Sequence, residues 1–462
     1  MVSFPRITKE TIPFGSFIFY NGPMRVTAIS LTLLSTALLL LGLYPLNWFG
    51  CSWVAWAPLF LLMESRSQKP LTSISLIFLT FVIYYGIGNY WLLYYQLSLF
   101  LAITVVAAAV VTLYFGLYHW LTRKSRSASF KILCAFALWP LLPYLVRLTP
   151  VTTALFEAPF YGPLEFFQIA SFIDYSFLGA LLLAFSLAVV LYPRKRGLKS
   201  ALWIMILSAC LGGLYVWGHA RLQAGAQPSP RPIKVALIQH NIPVSGEWRF
   251  DHPDEIRTRY QTLALKAAAA KPDLIIFPLY DFPDDPLRKP AFFESLAKET
   301  GAHILVASHI PEVPDQSIFE HGYRNVAVLY APDGRMLGSY QSVEKAPGFS
   351  PVTEHNAAEY KVLDSPWGKL GILLCYEDSK PEFARQASRL GARLLIALSN
   401  PGFFSKTHMP WYHLIQDRLR AIETKLPLLR VSSNGYSAQI DPLGRFIQKS
   451  ELEKEEILFA KV

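Results

Sequence analysis

Charge is scarce in this chain of 462 residues: Asp, Glu, Lys and Arg supply 16% of it, against 52% hydrophobic residues. Soluble domains carry about a quarter charged residues, so the composition argues against an ordinary cytosolic protein. Cysteine is scarcer still, with four in all and only Cys375 after Leu222. A domain with one thiol has no internal disulfide and must rest on its own core. No Cys or His residues have a metal-ligand spacing and no Gly-rich phosphate loop occurs, so neither a metal nor a cofactor is expected. His240, His408 and His413 are read as loop or helix polar residues. Acidic residues are nearly missing from the first half. Residues 1–222 hold 15 Lys and Arg against 5 Asp and Glu, and the remainder holds 28 of each, so the formal net charge of +10 lies wholly in the apolar half. A nucleic-acid binder places its basic excess on a polar surface or arm, so no nucleic-acid partner is expected.

What the first half does contain is apolar runs near 20 residues long, the length that a bilayer-spanning helix requires. Seven are counted, at about 26–44, 47–64, 71–94, 97–121, 130–149, 175–192 and 200–218. A cleaved signal peptide would account for the first run only. Arg66 and Lys69 follow the second run, Arg123, Lys124, Arg126 and Lys131 the fourth, and Arg194, Lys195, Arg196 and Lys199 the sixth. These are alternate connections, so the positive-inside rule puts 65–70, 122–131 and 193–199, and with them the N-terminus, in the cytoplasm. An odd number of crossings leaves the region after Leu222 on the far side, which in a bacterium is the periplasmic or extracellular face. The stretch 150–174, aromatic and Pro-rich with Glu157 and Glu165, lies on that side as an interfacial loop or as a loop lining a lipid-facing site.

Residues 1–222 are therefore expected to form a transmembrane domain of about seven helices, and 223–232 (QAGAQPSPRP) a linker. From 233 to 462 the periodicity changes to short β-type runs alternating with amphipathic helical segments, which indicates a separate α/β domain. Its strands are expected at 233–239, 273–277, 302–308, 324–331, 369–375, 393–399, 428–433 and 437–442. Its helices are expected near 254–270, 291–300, 381–390 and 411–424. The PDG of 332–334 and the PLG of 442–444 read as hairpin turns. Cys375 ends the strand KLGILLC, with a helix starting near Lys380-Pro381. A helix N-terminus lowers a neighbouring thiol pKa and stabilises an oxyanion, so Cys375 is a candidate nucleophile. The competing reading is a buried structural cysteine.

The segments KVALIQHNIP (234–243), KPDLIIFP (271–278), GKLGILLCYED (368–378), GARLLIALSN (391–400) and DRLRAIETKLPLLRVSSNGYSAQIDPLGR (417–445) resemble the nitrilase-like domain of bacterial apolipoprotein N-acyltransferases. YPLNWFGCSWVAWAPLFLLM in the first half resembles the same family. The resemblance implies a polytopic α-helical membrane bundle followed by an α/β nitrilase-like αββα sandwich, in the bacterial inner membrane with the sandwich outside. It implies phospholipid and lipoprotein as substrates or ligands. The implied reaction passes an acyl chain through a thioester on Cys375 to the amino group of a lipoprotein cysteine. The chain is expected to act as a monomer.

A carboxylate that takes the thiol proton and an ammonium that holds the oxyanion complete such a site. The resemblance puts the base, a Glu, at Leu279, the Lys at Ser342 and a further Glu at Ser350, while Cys375 and Glu377 are kept. Loss of a general base costs on the order of 10²–10⁴-fold in rate. Asp281 and Lys345 have the right chemistry nearby, but a shift of two along a strand moves a side chain roughly 6–7 Å and a shift of three also reverses its face. Catalysis is thus expected to be impaired or altered. An active acyltransferase or amidase using Asp281 and Lys345, or a non-catalytic envelope binding or assembly protein, are the alternatives. Glu377 is read as a supporting residue that orients the Cys375 loop or pairs with an Arg, and Asn400 as a turn residue behind the site. Trp248, Trp411, Phe403 and Phe404 either line a lipid-facing mouth or pack in the core. The family's further transmembrane helix has no apolar run to match it, and ELEKEEILFAKV (451–462) is expected to form a final strand.

Overall fold

The structure, a computed structural model, describes residues 27–65, 68–94, 96–147, 161–195, 198–226, 232–243, 251–280, 282–311, 323–344, 359–401, 404 and 406–462. In a bilayer the backbone must satisfy its own hydrogen bonds, and the apolar runs do so as helices. These are α1 (Ala28–Leu41), α2 (Phe49–Val54), α3 (Trp56–Met63), α4 (Pro70–Gly88), α5 (Leu97–Thr122), α6 (Ala128–Leu138), α7 (Leu141–Arg147), the short α8 (Leu164–Phe167), α9 (Ser176–Lys195) and α10 (Leu198–Ala224). Among the described residues five stretches are long and apolar enough to cross a membrane: Pro70–Gly88, Leu97–Thr122, Ala128–Val146, Ser176–Pro193 and Leu198–Ala224. The runs at 26–44 and 47–64 give shorter helices than expected. The 14 residues of α1 reach about 21 Å at 1.5 Å per residue, and the second run is interrupted at Ala55, between α2 and α3.

Helix ends sort to two sides of the bundle. On one side the Lys131 ammonium donates to Glu64 (2.5 Å) and so does the Tyr118 hydroxyl (2.8 Å), while the Trp203 indole donates to Ser129 Oγ (2.9 Å). These bonds gather the end of α3, the end of α5 and the starts of α6 and α10. The α/β domain docks on the other side.

That domain is built on strands β1 (Lys234–Gln239), β2 (Leu274–Tyr280), β3 (His303–Pro311), β4 (Tyr323–Tyr330), β5 (Met336–Gln341), β6 (Lys369–Leu374), β7 (Ala392–Ser399), β8 (Leu428–Ser432), β9 (Ala438–Ile440), β10 (Phe446–Lys449) and β11 (Glu456–Lys461). Its helices are α11 (Pro253–Ala268), α12 (Ala291–Thr300), α13 (Pro381–Arg389) and α14 (Met409–Thr424). One sheet has the order β11-β1-β2-β3-β4-β5, the other β10-β9-β8-β7-β6. Each is parallel through its first crossovers (β1-β2-β3 and β6-β7-β8) and antiparallel beyond. Period-two alternation makes the layers. Val235 and Leu237 share the inter-sheet cluster with Leu370, Ile372 and Leu394, whereas Ala236 and Ile238 join Tyr260 of α11 and Phe293 of α12. With α13 and α14 on the second sheet, the domain is a four-layered αββα sandwich.

Most elements lie within a few residues of their expected places, with three differences. β2 runs on to Tyr280, so Leu279 sits inside the strand opposite Ala307 rather than past its end. β5 and β10 are additional strands, returned by the two expected turns, and Gly334 takes the φ of +88° that the first turn needs. The final strand is confined to β11, which pairs antiparallel with β1 and ties the C-terminal segment to the start of the domain.

The joint between domain and bundle is α14. Its Tyr412, Ile415, Leu419 and Ile422 belong to the apolar core of the helical bundle, not to that of the sandwich. Polar bonds fix the seating. The Tyr412 hydroxyl accepts from Tyr44 N (3.1 Å), the His408 ring donates to the Gly88 carbonyl, Gln168 donates to the Leu443 carbonyl (2.9 Å) and Arg445 to that of Leu222 (3.4 Å).

Candidate active site around Cys375

Cys375 follows β6 and opens a short 3-10 turn, Cys375–Ser379, that leads to α13. Its φ is +53°, a left-handed conformation that strains any residue with a Cβ. Glu377 holds this turn in place. Its carboxylate accepts from Leu374 N (2.9 Å), from the Tyr340 hydroxyl (2.8 Å) and from Val343 N (2.7 Å), tying the end of β6 to the segment after β5. Glu377 is wholly buried, and burial pushes its carboxyl up to about 8 against the pull of these donors. Both of its oxygens are taken by donors of the chain itself.

The thiol does not follow the expectation of a lowered pKa. Burial first, then the Asp378 and Glu377 carboxylates, push Cys375 up to about 12, against the opposing pull of Tyr376 N–H and Arg430. The reason lies in the turn. α13 begins only at Pro381, so no helix N-terminus offsets the burial of the thiol, and the intervening residues add two buried carboxylates to its surroundings. The side chain itself is half-buried, within a dense protein environment.

Behind the turn lies a buried ionic network. Arg430, in the middle of β8, donates to Asp378 (3.1 Å), to Asp417, to Ser399 Oγ (2.8 Å) and to His413 Nδ1 (2.9 Å). The other His413 nitrogen bonds Asp378, and Arg420 donates to the Asp378 carbonyl (3.3 Å). Asp378, Asp417 and Arg430 have no exposure at all. Burial pushes the Asp417 carboxyl up, opposed by Arg430. His413 and Asp417 both project from α14, so this network connects the Cys375 turn to the helix seated in the bundle.

The positions to which the resemblance assigns the base and the cation have contrasting surroundings. Leu279 is wholly buried in the inter-sheet cluster that includes Tyr340 and Leu374, and the Cys375 side chain packs against that cluster. Ser342, just past β5, donates its N–H to the Asn325 carbonyl (2.9 Å), and its buried hydroxyl has no hydrogen-bond partner among the described residues. Asp281, Lys345 and Ser350 lie outside the described residues, as do Glu157, Trp248 and Phe403. Asn400, after β7, accepts from the Ser433 hydroxyl. His240 is wholly buried against Tyr260 and Tyr280, and burial lowers its pKa to about 3. Trp411 stacks on Tyr44 at 5.6 Å and Phe404 meets Trp91 edge-on at 4.9 Å, which puts both at the joint between domain and bundle.

Sequence reasoning missed the ion pair of Lys380 with Glu344. The Lys380 ammonium also lies 5.3 Å from the centre of the Tyr376 ring, so a cation and a carboxylate flank the turn. It missed the Asp378–Arg430 network too, although a charged residue inside the apolar strand LLRVS was a legible signal. Among the described residues no group of three His, Cys, Asp or Glu side chains is placed to hold a metal ion.

Two family models match the chain: the apolipoprotein N-acyltransferase N-terminal domain over residues 35–190 and carbon-nitrogen hydrolase over residues 234–462. The first covers most of the helical bundle and the second the whole sandwich, in the order of the fold. The chain belongs to the apolipoprotein N-acyltransferase family. An apolipoprotein N-acyltransferase of Geobacter metallireducens is 28% identical, over 89% of this chain and 84% of the relative. One of a Nostoc species is 26% identical, over 86% of each. Among solved structures, a carbon-nitrogen hydrolase of Helicobacter pylori is similar at 21% identity and a TM-score of 0.39, covering 50% of this chain and 89% of that one. A branch 10 nitrilase-superfamily member of Saccharomyces cerevisiae matches at 21% identity and the same TM-score, covering 51% and 92%. The chain is thus a membrane protein of the apolipoprotein N-acyltransferase type, a helical bundle carrying a nitrilase-like sandwich.

Proposed function

We propose that this chain binds phospholipid and lipoprotein as its family does, but transfers the acyl group at a rate lowered by about 10²-fold or more. The observation that carries this is Leu279, an apolar and wholly buried side chain at the position of the base, in the cluster against which Cys375 packs. Attack on the ester requires a thiolate. With the thiol pushed up to about 12, on the order of one molecule in 10⁵ carries it at pH 7. Glu377 acts here as a positioning residue, its oxygens being occupied, and Ser342 offers no charge for the oxyanion.

A working enzyme with relocated groups is the second reading. The Lys380–Glu344 pair beside Tyr376 favours it, since it supplies both a cation and a carboxylate at the edge of the turn. Asp281 and Lys345 remain candidates for the same roles.

The proposed setting is the inner membrane of a bacterium, with the N-terminus in the cytoplasm and the sandwich on the periplasmic or extracellular face, as a monomer without nucleic-acid partners. Support comes from the bundle. The Lys131–Glu64 end, with its basic connections, lies on the side opposite the α14 joint. The test is reconstitution with phospholipid and a diacylglyceryl-modified peptide, with the amine-acylated product measured by mass spectrometry. The expected yield is below about 1% of that from a family member with Glu and Lys at these two positions. Comparable yields would overturn the proposal.

A further inference from the structure

Away from Cys375, a cavity of about 670 Å³ opens between α6, α9 and α10, lined by side chains that include Phe136, Phe177, Leu181, Trp203, Cys210 and Trp217. Its walls are almost wholly apolar, and its volume is within the roughly 300–1,000 Å³ of pockets that enclose small ligands. None of the residues around Cys375 contributes to it. Gly213 of α10 lines it too, and a Cβ there would meet nothing within 4 Å, so the helix faces open space at this point.

The end nearer the α/β domain carries a cation. Phe172 and Trp217 line that end, their rings edge-to-face at 5.3 Å, and the Arg221 guanidinium lies 5.6 Å from the Trp217 ring centre. Arg221 donates one bond, to Ser171 Oγ (2.7 Å), and among the described residues no carboxylate pairs with it. The neighbouring acids are engaged elsewhere, Glu165 near His219 and Asp174 with Arg385. A guanidinium has five N–H donors in a fork that suits a phosphate, and an aromatic belt beside it marks the depth of lipid headgroups.

We infer that this groove holds one phospholipid as a resident ligand, an acyl chain between α6, α9 and α10 and the phosphate on Arg221. Charge complementarity selects the occupant: a lipid without a phosphate would fill the apolar walls and leave the cation unanswered. The site is distinct from the thiol chemistry and does not depend on it.

Native mass spectrometry of the detergent-solubilised full chain tests this, with dioleoylphosphatidylethanolamine as the probe and dioleoylglycerol, which has the same chains and no phosphate, as the comparison. One phospholipid adduct is expected to survive detergent exchange. Gly213→Phe, which fills the groove, is expected to lower its retention at least tenfold. Arg221→Ala is expected to lower it about tenfold, as the loss of a charge-assisted bond would, while leaving dioleoylglycerol retention unchanged. Cys375→Ser is expected to have no effect. Retention in Gly213→Phe equal to that of the parent, or an equal loss of both lipids in Arg221→Ala, overturns the inference. Alkylation of Cys210 in the unaltered chain gives a second reading free of any folding defect. Added phospholipid is expected to slow it at least fivefold, and an unchanged rate also overturns the inference.

Discussion

Leu279→Glu returns a carboxyl to the position that the resemblance assigns to the base, and its effect follows from the surroundings. Losing a wholly buried leucine side chain costs about 1.5–3 kcal/mol, and a carboxyl left partly unbonded costs about 1–3 kcal/mol more, the upper end applying once it ionises to act as a base. The domain is therefore expected to lose about 2.5–6 kcal/mol and to remain folded only at reduced temperature. The thiol gains in exchange a local proton acceptor, worth about 10²–10⁴-fold in the rate of nucleophilic attack. The assay is alkylation of Cys375 by iodoacetamide, followed by peptide mass spectrometry to separate it from Cys51, Cys134 and Cys210. In the parent chain the rate is expected to rise about tenfold per pH unit from 7 to 10 without a plateau, because burial pushes the folded thiol up to about 12. In Leu279→Glu the rate at pH 7.5 is expected to be at least 10²-fold higher and to flatten above neutrality. Leu279→Gln, equally polar and of similar size but without a base, separates chemistry from loosened packing. A folded Leu279→Glu protein that reacts no faster than Leu279→Gln refutes the assignment of the base position to Leu279.

Two further substitutions probe the supports of the turn. Glu377→Gln keeps an acceptor for Tyr340 and Val343 but turns an NH₂ toward Leu374 N–H, so thermal unfolding is expected to show a loss of about 1–3 kcal/mol; an unchanged midpoint contradicts the clamp. The same group sets a pH dependence. Its folded pKa, about 8, lies above its ordinary value, so its stabilising contribution is fully present below about pH 4.5 and is lost as the pH rises to 8. The unfolding midpoint is expected to fall over that window, with a shallower slope in Glu377→Gln. Arg430→Met leaves Asp378 and Asp417 buried without their cation and is expected to cost about 3–5 kcal/mol. Adding Asp378→Asn and Asp417→Asn is expected to recover part of that, and a cost under about 1 kcal/mol contradicts the network.

Much of this architecture was legible because periodicity reports burial. Apolar runs near 20 residues gave the helices of the bundle, and alternation in KVALIQ gave a strand with both faces covered. Run length alone did not reveal that 47–64 breaks at Ala55, since its composition is apolar on both sides of the break. Strand ends were harder. Phe277-Pro278 reads as a stop, yet β2 continues to Tyr280, because pairing with β3 carries Leu279 and Tyr280 opposite Ala307 and Ser308. At the site, Cys375 as the candidate nucleophile and the departures at Leu279 and Ser342 were readable from the motif. The direction of the thiol pKa was not, because it depends first on the burial of the sulfur's surroundings and then on Asp378 and Glu377 lying beside it, and both are tertiary facts. The same holds for Asp417 and His413, ordinary helix residues in sequence, which the packing of α14 brings to Arg430.

The central claim is that Cys375 has lost its proton acceptor and forms a thioester poorly. Intact-mass measurement of the purified chain after incubation with phospholipid, alongside Cys375→Ser, tests it most directly. The expected result is no acyl adduct on either protein within the time that a family member with an intact base is fully acylated. An adduct that forms on the parent and disappears in Cys375→Ser would contradict the account, and would point to Lys380 and Glu344, or to Asp281 and Lys345, as the groups that restore the chemistry.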